Sequence, residues 1–139
     1  MSTLDRSFPD DRFGTGARIW IEQDARVAYA YWFDAEGPIQ GDVWLYNVKP
    51  TPEAPPWKAG RKRMPFLNSG DYVDRSLHPS EVEFSRLGVE WHREANVVRA
   101  NIHLDGVPIA SLAKGEKPGR SRLVTRDGPL ARKEEAQTI

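Results

Sequence analysis

The sequence predicts a mainly β fold, an antiparallel meander curled into a sandwich or small barrel of six or seven strands with little helix. Apolar and polar residues alternate with period two through several short runs, which is typical of half-buried strands. Turn residues separate these runs. A segment at residues 49–70 contains five prolines, which exclude a regular element there. The alternative is an α+β fold, with helix at residues 80–87 or in the C-terminal tail.

The length of 139 residues indicates one domain with a single core. We expect a β domain over residues 16–126, which includes the long loop 49–70. Residues 1–15 are predicted to form a loosely attached arm, because Phe8 and Phe13 are their strong apolar anchors. Residues 127–139 are predicted to be a tail, frayed or with a short helix over 130–135.

The composition excludes several classes of chemistry. The chain has no cysteine, so disulfides, thiolate catalysis and Cys-ligated zinc are excluded. Its net charge of zero argues against an obligate nucleic-acid binder. The first residues lack a signal-peptide pattern, and no apolar run approaches the length of about 18 residues that indicates a membrane span. We therefore expect a soluble, cytoplasmic protein with no membrane contact.

Three strands are predicted in the first half, over residues 17–22, 26–34 and 40–48. If residues 23–25 form a three-residue hairpin loop, Ile21 lies opposite Val27 and Ile19 opposite Tyr29. These strands are apolar on both faces, so one face must be the core and the other needs a cover.

Two interpretations follow for the second face. In one, the face is covered, because the Pro-rich loop packs on it as a lid or because a barrel closes over it. Otherwise the face forms a pocket for a small apolar ligand or a surface for a partner, since Trp and Tyr are enriched in both kinds of site. The residues predicted to line that pocket are Trp20, Trp32, Asp42, Trp44 and Tyr46.

In the second half, residues 81–94 are predicted to form a strand with a bulge near residues 87 and 88, in preference to a helix. Val97–Leu104 is the clearest strand of the chain. Asp105-Gly106 predicts a tight type I′ turn that pairs Leu104 with Val107 and Ile102 with Ile109. Pro108 indicates that the returning strand lies near a sheet edge. A last short strand is predicted at residues 122–125.

The basic stretch of the Pro-rich loop is the predicted partner-binding site. It carries four cations and no acid, and two aromatic residues flank them; the six residues are Trp57, Lys58, Arg61, Lys62, Arg63 and Phe66. Aromatic residues with cations are used on phosphates and on single-stranded nucleic acid. The zero net charge removes the long-range field that such ligands normally exploit, so an acidic protein surface suits this stretch as well.

We find no motif that assigns catalysis. The chain has no nucleophile elbow and no phosphate-binding loop, and its three histidines lack the spacing of metal ligands. We therefore predict no catalytic residue, no cofactor and no metal. An enzyme remains an alternative, using His103 in an outward polar row with Arg99, Asn101 and Asp105, or using Asp42 with a pKa raised by burial.

The prediction for function is a non-catalytic cytoplasmic binding protein that recognises another protein through residues 57–67. An immunity-type, antitoxin-like or adaptor role fits the small size and the absence of catalytic motifs. The alternatives are a β-barrel that binds a small apolar ligand and an enzyme that uses Asp42 or His103.

Overall fold

The computed structural model describes residues 4–24, 26–35, 37–48, 84–124 and 126–134. These residues form two sheets, with strand orders β1-β2-β3-β4 and β5-β6-β7-β8-β9. The strands are β1 (Leu4–Pro9), β2 (Arg18–Gln23), β3 (Val27–Phe33), β4 (Ile39–Asn47), β5 (Leu87–Glu94), β6 (Val97–Leu104), β7 (Val107–Ala113), β8 (Arg120–Ser121) and β9 (Arg132–Lys133). Neighbouring strands are antiparallel except β8 and β9.

The predicted mainly β, antiparallel fold is confirmed, and its packing is that of a sandwich without a closed barrel. None of the described residues belongs to a helix with the length and apolar composition that a membrane crossing requires. The predicted Pro-rich loop, residues 49–70, lies outside the described residues.

The predicted register of the first hairpin is wrong by three residues. Ile21 lies opposite Ala30 instead of Val27. The hairpin closes between Asp24 and Val27, where the Asp24 amide donates to the Val27 carbonyl at 3.1 Å. The Asp24 carboxylate accepts hydrogen bonds from the amides of Arg26 and Val27 at 2.7 and 2.9 Å, which stabilises this tighter turn. Side chains alternate between the two faces of a sheet, so a register shift by an odd number of residues exchanges the faces. Every β3 side chain therefore lies on the face opposite to the one expected.

The core lies between the two sheets. Trp32 of β3 meets Trp91 of β5 edge to face, with ring centroids 5.4 Å apart. Around this pair the two inner faces bring together mainly aliphatic side chains that are almost fully buried. They include Ile19, Ile21, Ala28, Ala30 and Val43 of the first sheet and Ala100, Ile102, Ala110 and Leu112 of the second.

The two sheets are joined along the outer edge of β4. Four backbone hydrogen bonds among the described residues cross this seam, which we call the β4 seam. The Gly115 amide donates to Gln40, the Asp42 amide to Glu116, the Gly119 amide to Asp42 and the Trp44 amide to Leu130, at 2.6 to 3.0 Å. The edge of the first sheet is thereby covered by the chain that leads into and out of β8.

The other side of the sandwich is held by two arginine side chains. Arg6 donates to the Leu87 carbonyl at 3.2 Å, and Arg12 donates to the Trp91 carbonyl at 3.1 Å. Both carbonyls belong to the edge strand β5, so the guanidinium groups satisfy acceptors that would otherwise face solvent. The expectation of a loosely attached arm is wrong for Leu4–Pro9, which forms β1 and pairs with β2 along its whole length.

The second sheet matches the prediction best at β6. Its bounds, Val97–Leu104, are those expected, and Leu104 pairs with Val107. The turn is also confirmed, because Asp105 and Gly106 have φ of 53° and 80°. The second predicted pair is wrong, since a bulge places Ala110 opposite Ile102. The return strand β7 lies inside the sheet, and β8 is too short to pair with its Pro108 end.

The remaining differences between the predicted and the observed elements lie at the start and at the end of the second half of the chain. A 3₁₀ turn at Phe84–Arg86 leads into β5, where a bulge was expected. The last short strands are β8 and β9 instead of one strand at residues 122–125. The helix considered for residues 130–135 is absent from its described part, where the Arg132 amide donates to the Gly119 carbonyl at 2.8 Å.

Candidate functional site

The six loop residues predicted to bind a partner lie outside the described residues. They are Trp57, Lys58, Arg61, Lys62, Arg63 and Phe66. The candidate site within the described chain is instead the outer surface of the first sheet.

Four aromatic side chains share the outer surface of β2 and β3, and we call them the outward aromatic face: Trp20, Tyr29, Tyr31 and Phe33. The Trp20 ring lies 5.6 Å from Tyr31 and 5.9 Å from Phe33, and Tyr29 stacks on Tyr31 at 6.2 Å. Tyr29 is buried, whereas the other three are half-buried. The rings therefore form one continuous and partly solvent-exposed surface.

Two carboxylates border this face. Burial raises the pKa of Glu22, and the charges of Asp24 and Asp5 raise it further. Burial also raises the pKa of Asp42, with Lys117 acting in the opposite direction. The pKa of Tyr31 is raised to about 12 by burial and by the charges of Glu22 and Asp42. Both carboxylates thus interact electrostatically with the Tyr31 hydroxyl, and the border of the face is electronegative.

One cation already lies on this face. The guanidinium carbon of Arg18 is 4.6 Å from the centroid of the Phe33 ring. Across the described parts of the chain, four cation–π contacts occur and each involves a phenylalanine ring, either Phe8, Phe13 or Phe33. Trp and Tyr bind cations at least as well as Phe, so Trp20 and Tyr31 offer ring surface of the right kind for another cation.

The five residues of the predicted pocket are divided between the two faces of the first sheet. Trp20, Asp42 and Trp44 point outward, whereas Trp32 and Tyr46 belong to the inner face. Trp44 is fully buried, and its indole nitrogen donates to Asn47 Oδ1 at 2.9 Å. The corrected hairpin register and a bulge in β4 are responsible for this division. At the bulge, Tyr29 pairs with Trp44 but Ala28 pairs with Tyr46, so Leu45 is an extra residue.

The polar row of β6 lies on the outer surface of the second sheet, as expected. Arg99 is only 5% exposed and donates to Ser111 Oγ at 3.0 Å and to both carboxylate oxygens of Glu116. Glu116 also accepts a hydrogen bond from the Ala113 amide at 3.0 Å. These groups satisfy one another, so this part of the row is a structural clamp.

Among the described residues, no carboxylate pairs with His103 as a general base of this kind requires. Asp105, the acid of the same row, forms an ion pair with Arg86 at 2.8 Å. The His103 ring lies against Gly88, and its Nδ1 is buried without a hydrogen-bond partner among the described residues. Elsewhere in the row, the Asn101 amide nitrogen lies 3.0 Å from Nδ1 of His92. No group of three potential ligands is placed for a metal ion within the described ranges.

Sequence reasoning placed Tyr29, Tyr31 and Phe33 on one face of their strand but missed that this face lies on the same surface as Trp20 and Glu22. The signal was present in Asp24, since an aspartate favours a turn that its own carboxylate closes. Placing the turn at Asp24 would have aligned Trp20 with Tyr31. Glu116 was also missed, although it is the only acid among the cations of residues 114–126.

Comparisons with known proteins identify no relatives. No protein-family model matches the chain, and neither curated proteins nor solved structures show significant similarity to it.

Proposed function

We propose that this protein is a non-catalytic binding protein that recognises another protein in the cytoplasm, in an immunity-type or adaptor role. The observation that supports the proposal is the outward aromatic face, where Trp20, Tyr31 and Phe33 remain half-buried. Trp and Tyr are enriched among the residues that contribute most to protein interfaces. A contiguous apolar patch that keeps partial access to solvent is a common feature of such an interface.

The arrangement of the face favours binding energetically. Its rings lie on the two middle strands of the first sheet, and each ring contacts another. Side chains that are already ordered lose little rotational freedom when a partner binds. The face is therefore preorganised for association.

The test is partner binding by the full chain and by a double variant, Trp20→Ala with Tyr31→Ala. A partner is first captured with the wild-type protein from cells that encode it, and its affinity is then measured by calorimetry with purified components. Truncation of an interface hot spot costs about 2 kcal/mol or more, so we expect at least a roughly 30-fold loss of affinity.

The matched control is Val107→Ala, which removes an apolar side chain that is 62% exposed on the second sheet. This variant should bind as the wild type does. Urea unfolding of each variant separates loss of binding from loss of folding. A partner that binds the folded double variant with unchanged affinity would show that this face is not the interface.

A further inference from the structure

We infer that the outward aromatic face takes a basic segment of the protein partner, with a lysine or arginine side chain lying over Trp20 and Tyr31 between Glu22 and Asp42. This inference rests on the proposed function and adds the chemical class of the partner. It follows from the charges at the border of the face, from the kind of ring that remains partly accessible and from the order of residues across the strands.

The first argument is the crowding of acids at one end of the face. Asp5 lies directly opposite Glu22 in the pairing of β1 with β2, and Asp24 follows two residues after Glu22. Within the described chain Asp24 pairs with Arg26 at 3.4 Å, whereas no ion pair is formed by Glu22. Like charges on residues directly opposite each other in paired strands repel. A cation supplied by a partner would relieve that repulsion.

The second argument is the identity of the half-buried rings. Arg18 on Phe33 shows that a guanidinium group is compatible with this surface. Its neighbours Trp20 and Tyr31 carry no cation from the described residues. A cation over a Trp or Tyr ring is attracted by the negative face of the ring, and the attraction grows where water is partly excluded.

The third argument is the spacing. Strand pairing places Trp20, Tyr31 and Asp42 in one row across β2, β3 and β4. Glu22 lies in the adjacent row with Tyr29. The two carboxylates therefore flank Tyr31 on different sides. A long basic side chain can lay its aliphatic stem along the rings while its charged end reaches a carboxylate.

Other occupants fit the same surface less well. Phosphate groups of a nucleic acid, or an acidic peptide, would be repelled by Glu22, Asp42 and Asp5. A purely apolar partner would remove water from the carboxylates and provide no hydrogen bond in exchange. A basic segment provides a cation for the rings and an opposite charge for the carboxylates.

The experiment is calorimetric titration of the full chain with three probes. They are a peptide of alternating lysine and glycine, a matched peptide of alternating glutamate and glycine, and oligothymidylate. We expect the lysine peptide alone to bind, with an affinity that falls as salt is raised. Glu22→Gln and Asp42→Asn should each weaken that binding about two- to fivefold, which corresponds to the loss of one partly exposed ion pair.

The matched control is Glu90→Gln, because Glu90 is an exposed acid on the second sheet. It should leave the affinity for the lysine peptide unchanged. Because both border carboxylates are less stable as ions in the folded chain than in water, their neutral variants should fold at least as well as the wild type. Weaker binding would then report the missing charge.

Four results would overturn the inference. Binding of oligothymidylate or of the glutamate peptide in place of the lysine peptide would assign the wrong chemistry to the partner. Lysine-peptide binding that is insensitive to Glu22→Gln and Asp42→Asn would place that peptide elsewhere. If the captured partner depends on Trp20 and Tyr31 but not on the carboxylates or on salt, the basic-segment inference fails while the proposed function stands. Independence of Trp20 and Tyr31 contradicts both.

Discussion

Gly119 shows how a single residue determines the way the two sheets join. Its amide donates to the Asp42 carbonyl at 2.7 Å across the β4 seam, and its carbonyl accepts from the Arg132 amide at 2.8 Å. A Cβ at this position would lie 2.6 Å from the Ser111 carbonyl oxygen and 2.8 Å from Leu112 Cδ1. The close approach of three chain segments therefore requires the absence of a side chain.

We predict that Gly119→Ala destabilises the protein by about 1–3 kcal/mol, the usual range for an overpacked position. The obstructing oxygen belongs to the backbone, so the strands must separate to relieve the overlap. Urea unfolding measures the change. Gly14→Asn is the control, because nothing lies within 4 Å of its Cβ position and asparagine tolerates a φ of 68°. Equal stability of the two variants would show that the seam can open without cost.

At the scale of elements, Arg99 and Glu116 connect β6 to the turn after β7 and, through that turn, to the first sheet. The side chain of Glu116 is held by Arg99, and its backbone carbonyl accepts from the Asp42 amide at 3.0 Å. The ion pair therefore supports the turn that provides part of the β4 seam. A buried arginine without this partner would keep its charge in a poorly solvated position.

Glu116→Gln should lower the free energy of unfolding by about 1.5–3 kcal/mol, the range for a hydrogen bond to a charged group. Urea unfolding of Glu116→Gln, Arg99→Met and the double variant forms a double-mutant cycle that isolates the interaction. Glu94→Gln is the control on the same arginine, since Glu94 is 60% exposed and 3.9 Å away. It should change stability by less than about 1 kcal/mol. A coupling energy near zero would contradict the clamp.

At the scale of the whole molecule, carboxylates whose pKa values are shifted in opposite directions determine how stability responds to acid. Desolvation raises the pKa of Asp10, but hydrogen bonds from Thr15, Phe13 and Arg12 outweigh it and lower the pKa from 3.8 to about 2. This stabilisation is present above the unfolded pKa and is lost as pH falls toward 2. Glu22 and Asp42, whose pKa values are raised, destabilise the fold when ionised and cease to do so on protonation.

We therefore predict that stability rises or holds as pH is lowered toward about 4 and then falls between about 4 and 2. Denaturant unfolding across this range measures the profile. Asp10→Asn should flatten the fall at low pH, whereas Glu22→Gln should remove part of the rise. An unchanged acid limb in Asp10→Asn would show that other carboxylates control acid unfolding.

The sequence alone determined the fold class and the local elements whose signals lie within a few residues. Alternation identified β2, β3, β4 and β6, and Asp105-Gly106 identified its turn, because side-chain period and turn geometry are local properties. The tertiary structure decided the register of the first hairpin, the pairing of β1 and the seam at β4. These depend on contacts between distant segments, such as Gly119 with Asp42, that no local pattern encodes.

The candidate site was likewise determined in part by the sequence and in part by the tertiary structure. Trp20 and Asp42 were found as aromatic and acidic residues of the first meander, but their association with Tyr31 and Glu22 was decided by the register. A shift of three residues, caused by the Asp24 turn, moved Tyr29, Tyr31 and Phe33 to the face of Trp20 and moved Trp32 into the core. Since side chains alternate between faces, the composition of a sheet surface is known only once the pairing of its strands is known.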